Sequence, residues 1–287
     1  MSPTKCTSRF RRIIRARPAV SGRVDHDNTT ITPDIAPIPS RVPLEKDTVI
    51  TSAHVRAVRG VLCALGLPME LVLITMNLAD YYATVRSRRT GYIRIDAHDA
   101  GVDVHAARLY LIATLPQESS GDELMKVVKV TWLVKGHDQG WGGEAPGMYS
   151  PAYSWYEACI FRRVHSAEEK SQKDINLERL YRFYRDAEMM ERKVLAPAGW
   201  SLVRNGDSCV WRLQSNRIAK GEFERHTFVW TADGVSEGAE DHGAGAGEGF
   251  VKSLRAGDKV GILMRASYPG WSNSVNEAGI EIAYEVR

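Results

Sequence analysis

Residues 127–134 read "VVKVTWLV", and the order of these eight decides the fold. Val128, Val130, Trp132 and Val134 fall on one face of an extended chain, with Lys129 and Thr131 on the other, because successive side chains of a strand point to opposite faces. The rhythm returns in "KVGILMRA" (259–266), which groups Val260, Ile262, Met264 and Ala266. It returns again in "GIEIAYEV" (279–286), where Ile280, Ile282, Tyr284 and Val286 face in and Glu281 and Glu285 face out. Further strands are predicted near 92–97, 107–115, 155–164, 200–204, 209–214 and 225–231. Many short alternating strands with Gly, Pro, Asn and Asp between them predict a mainly β protein, an antiparallel jelly-roll sandwich over residues 91–287.

Two stretches follow a helical period instead. In 48–90, Val55, Val58, Val61, Leu62 and Leu65 recur at helical spacing, and Pro68 opens "LPMELVLITMNLADYY" (67–82). Proline is tolerated at a first helical turn, where its missing N–H would have had no partner. In 172–194, Leu177, Leu180, Tyr181, Tyr184, Ala187 and Val194 share a stripe, supported by the pairs Glu178/Arg182 and Glu188/Arg192. "SQKD" (171–174) has the form of a capping box, while Pro197 and Gly199 end the run. This segment is expected to be one helical insertion, packed on the sandwich by its stripe.

Residues 1–47 hold six prolines among polar residues and are expected to be a disordered tail. Residues 1–24 carry seven basic side chains and no acid, so the remainder stands at −4 against the whole chain's +3. A mildly acidic body argues against a nucleic-acid surface on the folded domain. The arginine-rich tail fits a solvated arm, a nuclear address or a mitochondrial presequence; a cytoplasmic or nuclear location is expected. The longest apolar region, 60–79, is broken by Gly66, Pro68, Glu70 and Asn77, so no membrane partner is expected. Cys6, Cys63, Cys159 and Cys209 are scattered without a CxxC, the pattern of free thiols in a reducing compartment.

No motif demands catalysis or a cofactor. Asp96, His98, Asp99, Asp103 and His105 form the densest group of metal-ligating types, but the intervening glycine and aspartates belong to turn chemistry. The acidic, glycine-rich loop 233–249 keeps neither a dinucleotide nor a P-loop register, and Glu237, Glu240 and Asp241 would repel a phosphate. It is expected to be a flexible loop. No metal site and no cofactor are assigned. What stands out is aromatic: "GHDQGW" (136–141), Tyr149, and "YPGW" (268–271) followed by Asn273. Rings beside glycines and amides suit ligands with an apolar face and polar edges, such as sugars or peptides. The candidate ligand-binding residues are His137, Asp138, Gln139, Trp141, Tyr149, Tyr268, Trp271 and Asn273. The competing reading makes Trp141 and Trp271 plugs for the open end of the sandwich.

"HDQGWGG…YSWYEACIFRR" with "FVKSLRAGDKVGILMRASYPGWSNSVNEAGIEIAYEV" resembles a group of uncharacterised fungal proteins with a C-terminal β domain, in which a DQGW segment and a YPGW loop recur. The likeness covers most of 126–164 and 225–287 and implies a fold without an activity. "LPMELVLITMNLADYY" is similar to the opening of an F-box, and F-box-associated domains are jelly rolls, some of which bind glycans through a tryptophan-bearing pair of loops. That resemblance implies a substrate receptor contacting a Skp1-like adaptor through 67–82, with Leu67, Pro68, Glu70 and Leu71 as the contact residues. Three functions follow as expectations. The first is a non-enzymatic binding or adaptor protein. The second is a carbohydrate-active enzyme using Asp138, His137 or Glu157, and the third is a scaffold.

Overall fold

The computed structural model describes residues 49–101, 104–117, 125–142, 145–164, 175–232, 234–237 and 243–286. The expected tail (1–47), Cys6, the capping box at 171–174, Asp103, and Glu240 and Asp241 of the acidic loop lie outside them.

Among the described residues eight strands carry the sandwich: β1 (Ala83–Asp96), β2 (His105–Thr114), β3 (Met125–His137), β4 (Ser154–Arg163), β7 (Trp211–Ser215), β8 (Glu224–Thr231), β10 (Lys259–Ser267) and β11 (Ser272–Val286). Three short strands extend the sheets: β5 (Phe183–Tyr184), β6 (Trp200–Leu202) and β9 (Gly234–Glu237). The first sheet runs β1-β11-β3-β8-β9. The second runs β5-β2-β10-β4-β6, with β7 also paired to β4. The eight main strands, taken in chain order, therefore stack first-eighth-third-sixth against second-seventh-fourth-fifth, the jelly-roll arrangement of two antiparallel sheets.

Alternation does what it should between the sheets. Val130, Trp132, Val134, Ile280, Ile282 and Tyr284 from one sheet meet Tyr110, Tyr156, Ile160, Val260, Ile262 and Met264 from the other, all buried. One position differs from the expected face: Val127 is buried and Val128 is not. The register between β11 and β3 slips between Ala283 and Tyr284, pairing Ala283 with Lys129 and Tyr284 with Val127. A bulge there flips the pleat by one residue. On the open face of the first sheet, Arg86 pairs with Glu281 across strands and Arg88 with Glu277.

The N-terminal helical segment is a hairpin of α1 (Ser52–Ala64) and α2 (Met69–Leu78). Thr51 caps α1: its hydroxyl accepts from the His54 N–H at 3.3 Å, and the His54 ring accepts from the Thr51 N–H at 3.2 Å. Val55, Val72 and Met76 are buried in the core, and Val58, Leu62, Cys63 and Leu67 pack against it. The helical part stops earlier than the expected 48–90, because β1 begins at Ala83 and pairs at once with Tyr284. The chain passes from α2 into β1 with no helix between them. Ser52 Oγ lies 3.1 Å from Tyr284 Oη, and the Arg59 guanidinium donates to the Val286 carbonyl, so the hairpin sits on the end of β11. No helix among the described residues is long and apolar enough to cross a membrane.

The insertion is not one helix. It breaks into α3 (Leu177–Leu180), strand β5, α4 (Ala187–Met190), a π-helical turn (Glu191–Leu195) and a 3-10 turn (Ala196–Ala198). The edge of β2 offers backbone partners at Ala107 and Arg108, and Phe183 and Tyr184 take them. Asp186 then restarts a helix, its carboxylate accepting from the Met189 N–H at 2.7 Å. The predicted stripe still packs as a stripe: Leu180, Tyr184, Ala187 and Val194 cover Leu109, Cys159, Phe161 and Leu263 on the outer face of the second sheet.

The loop predicted to be flexible is anchored over its last residues. The Trp230 indole donates to the Gly245 carbonyl at 3.2 Å, and the Trp211 indole to the Glu248 carbonyl at 2.9 Å. Phe250–Ser253, the turn α5, then places Phe250 edge-on to Trp132, Trp211 and Trp230, with centroids 5.0–5.3 Å apart. Buried indole donors favour acceptors, and the loop backbone at Gly245 and Glu248 provides two of them.

Candidate functional site

His137 ends β3 and pairs with Ser274 near the start of β11, so antiparallel register alone brings the two tryptophan loops to one end of the sandwich. Gln139 links them. Its Oε1 accepts from the Ser272 N–H at 3.4 Å, and its Nε2 donates to the Trp141 carbonyl at 2.7 Å. A Cβ built on Gly270 would lie 3.4 Å from the edge of the Trp141 ring, so the indole rests against the second loop.

The "YPGW" turn closes through the Trp271 N–H, which donates to the Tyr268 carbonyl at 3.2 Å. Pro269 and Gly270 hold its two central positions, and Gly270 has φ +88°. That is the sequence and backbone pattern of a type II turn. Tyr268 is left-handed as well, at φ +69°, and its N–H donates to the Val104 carbonyl at 2.7 Å. The rings then meet edge to face: Tyr153 with Tyr268 at 4.6 Å, Tyr153 with Trp271 at 5.0 Å, and Tyr268 with His105 at 5.9 Å. Trp141 is 64% exposed and Tyr268 49%, while Trp271 is half-buried. Tyr153, absent from the sequence-derived candidates, is the hub of this group. Its place in the loop cluster 149–155 was the only signal for it.

The polar candidates divide differently. Asp138 is fully buried: one carboxylate oxygen accepts from the Gly140 N–H at 2.7 Å and the other from the Ala219 N–H at 2.6 Å. Burial raises its pKa, against the backbone N–H groups and His137, which lower it. Asp138 thus clamps the first loop to the segment after β7, and the Gly140 and Gly221 backbones touch beside it. Asn273 is equally buried. Its Nδ2 donates to the Trp155 carbonyl at 2.8 Å and the Arg265 carbonyl at 3.1 Å, and its Oδ1 accepts from Asn216 at 3.1 Å. Asn216 also donates to Ser154 Oγ at 3.0 Å. Neither Asn216 nor Ser154 stands out in the sequence, since one amide in a turn resembles another until its partners are known.

His137 continues the outer face of β3, edge-on to Phe223 at 4.5 Å, with Tyr92 beyond it. Tyr149 packs with Arg217, whose Nε donates to its hydroxyl at 2.9 Å, and with His226. The structure therefore brings Gln139, Trp141, Tyr268 and Trp271 together on one rim. Asp138 and Asn273 lie beneath it as supports, and His137 and Tyr149 belong to neighbouring clusters.

Among the described residues no three His, Cys, Asp or Glu side chains converge as metal ligands. Of the 96–105 group, Asp96 pairs with Arg94 at 2.9 Å, Asp99 accepts from the Asp96 N–H at 2.8 Å, and His105 Nδ1 lies 3.0 Å from Ser267 Oγ. Both oxygens of Glu157 are engaged, one by the Trp155 indole at 2.7 Å and one by Arg265 at 2.9 Å. On the hairpin, Leu67 packs on the core, whereas Pro68, Glu70 and Leu71 are exposed. No family model and no curated protein matches the chain.

Proposed function

We propose that the protein is a non-enzymatic recognition module that captures a glycan or peptide at the rim formed by Trp141, Tyr268 and Trp271. The observation that carries this reading is that two loops tied by Gln139 each present an exposed ring, Trp141 on one and Tyr268 on the other. An indole that is 64% exposed plugs nothing. Held against a glycine turn, it offers a flat apolar surface with few rotamers to freeze on binding. The carboxylates that a hydrolytic reading would use support binding instead, because Asp138 and Glu157 have both oxygens committed to donors.

The same reading assigns the α1–α2 hairpin to an adaptor of the Skp1-like kind. Leu71, Ile74 and Leu78 of α2, Val61 of α1 and Leu65 just after it are exposed large apolar side chains, which supports a docking face beside the "LPME" opening. The direct passage from α2 into β1, with no helix between, departs from a complete F-box.

A glycan array and a peptide library screened with the wild type and with Trp141→Ala test the rim. Capture by the wild type and loss in the variant are expected, and equal capture by both would refute the assignment. A pull-down with a purified Skp1-like adaptor, compared with Leu71→Ser/Ile74→Ser, tests the hairpin independently.

A further inference from the structure

The outer face of the second sheet is only half covered by the insertion. Beyond Leu109, Cys159 and Leu263 the same face turns polar, and three strands bring their side chains together there. Trp155 and Glu157 stand on β4, Arg265 on β10 opposite Trp155, and Arg212 on β7 opposite Glu157. The indole lies in the middle strand, with one arginine on the strand to either side.

Both guanidinium groups stack on that ring. The Arg212 guanidinium carbon is 4.2 Å from the centroid and that of Arg265 is 5.3 Å. Their hydrogen bonding differs. Arg265 Nη1 donates to Glu157 at 2.9 Å, and the second Glu157 oxygen accepts from the Trp155 indole at 2.7 Å. Glu157 is then fully used. No carboxylate among the described residues pairs with Arg212, whose Nη1 has only a 3.5 Å contact with Ser215 Oγ. The Nε of Arg265 is buried without a partner. Burial draws the Arg212 pKa down, Glu157 opposes this, and the like charge of Arg265 adds to it.

An arginine laid flat on an indole keeps its fork of N–H donors at the edge, pre-oriented for a planar or tetrahedral oxyanion. Glu157 is ion-paired with Arg265, and Asp186, held by Arg185, also acts on Arg265, whereas Arg212 has no carboxylate within ion-pair distance among the described residues. We propose that Arg212 and Arg265, set around Trp155 on the outer face of the second sheet, form an oxyanion site for the phosphate or carboxylate group of a ligand. Trp155 positions the forks, and Glu157 fixes Arg265 in place. The site is independent of the tryptophan rim and of the reading attached to it.

The test is a titration of the full chain, ¹⁵N-labelled and in low chloride, with inorganic phosphate in one arm and acetate in the other. The readout is the Trp155 indole N–H resonance, assigned by its loss in Trp155→Phe. A saturable shift is expected with at least one anion. Saturation by phosphate alone identifies a phosphate ligand, and saturation by acetate alone a carboxylate. Arg212→Gln should weaken binding by about tenfold or more, the loss expected for a charge-assisted hydrogen bond. Arg212→Lys should not restore it, since an ammonium has no fork, and Trp141→Ala should leave it unchanged. If Arg212→Gln lowers the melting temperature, Arg212→Lys replaces it, and unchanged affinity in Arg212→Lys overturns the proposal. No saturable shift with either anion, or equal binding by a stably folded Arg212→Gln, would also overturn it.

Discussion

The Asp138 carboxylate accepts from the Ala219 N–H at 2.6 Å, across a sequence separation of 81 residues. This contact holds the first tryptophan loop to the segment beyond β7, and it does so with a buried acid whose pKa burial raises above the ordinary 3.8. A carboxyl group with a raised folded pKa holds its proton more tightly in the fold than in the unfolded chain. Its contribution to stability is complete below pH 3.8 and is lost as pH rises through the raised value. Wild type should therefore exceed Asp138→Asn in stability by the widest margin at low pH, with the margin shrinking as pH rises. Urea unfolding of both proteins across that range measures it, and a margin that grows with pH would contradict the assignment.

Trp141 and Trp271 should separate in stability despite their matching sequence contexts. Trp141 is mostly exposed, so Trp141→Ala should change stability by about 0.5 kcal/mol or less. Trp271 is half-buried against Tyr153, and Trp271→Ala should cost roughly 2 kcal/mol. Equilibrium denaturation reads both. A loss of about 3–5 kcal/mol for Trp141→Ala would make that ring a plug.

Cys159 and Cys209 should resist alkylation in the native protein. Both are buried free thiols, and burial pushes Cys159 well above its usual value and Cys209 to about 12. The thiolate is the reactive species. Intact mass after iodoacetamide treatment at mildly alkaline pH should show neither modified until denaturant is added, whereas half-buried Cys63 reacts before either of them. Native labelling of Cys159 would refute its burial under the insertion.

Gly247→Ala should be among the most damaging single substitutions. Gly247 has φ +65°, and a Cβ there would run into the Trp230 ring. The left-handed backbone costs about 1–2 kcal/mol for alanine and the collision about 1–3 more. A melting temperature within a degree or two of wild type would show that this end of the loop is not packed against Trp230.

Much of the fold was legible because alternation is a local property: Val260, Ile262 and Met264 needed no knowledge of their partners to be placed inward. What was not legible depends on partners distant in sequence. Val128 lost its inward place to a bulge set by Ala283 and Tyr284, and residues 177–198 broke from helix to strand because β2 had a free edge. The rim was half legible for the same reason. Rings and turn glycines are visible in the letters "DQGW" and "YPGW"; that Trp141 and Tyr268 are exposed while Trp271 is half-buried is not. Asp138 and Asn273 carry the residue types of a binding edge, yet they serve as buried clamps, a role set by Ala219, Asn216 and Arg265.

β11 occupies an inner position of the first sheet, between β1 and β3, although it follows both in the chain by well over a hundred residues. During synthesis β1 and β3 therefore wait as unpaired edges, with Trp132 lacking half of its cover, until residues 272–286 have left the ribosome. Pairings this distant in sequence form late and slowly, and exposed edges in the interval favour association between nascent chains. The hairpin α1–α2 also has its seat on Tyr284 and Val286, so it too stays undocked until then. A stall in translation before residue 272 would release a chain with two open strand edges and an undocked apolar hairpin, a substrate for chaperones and not a partly working protein.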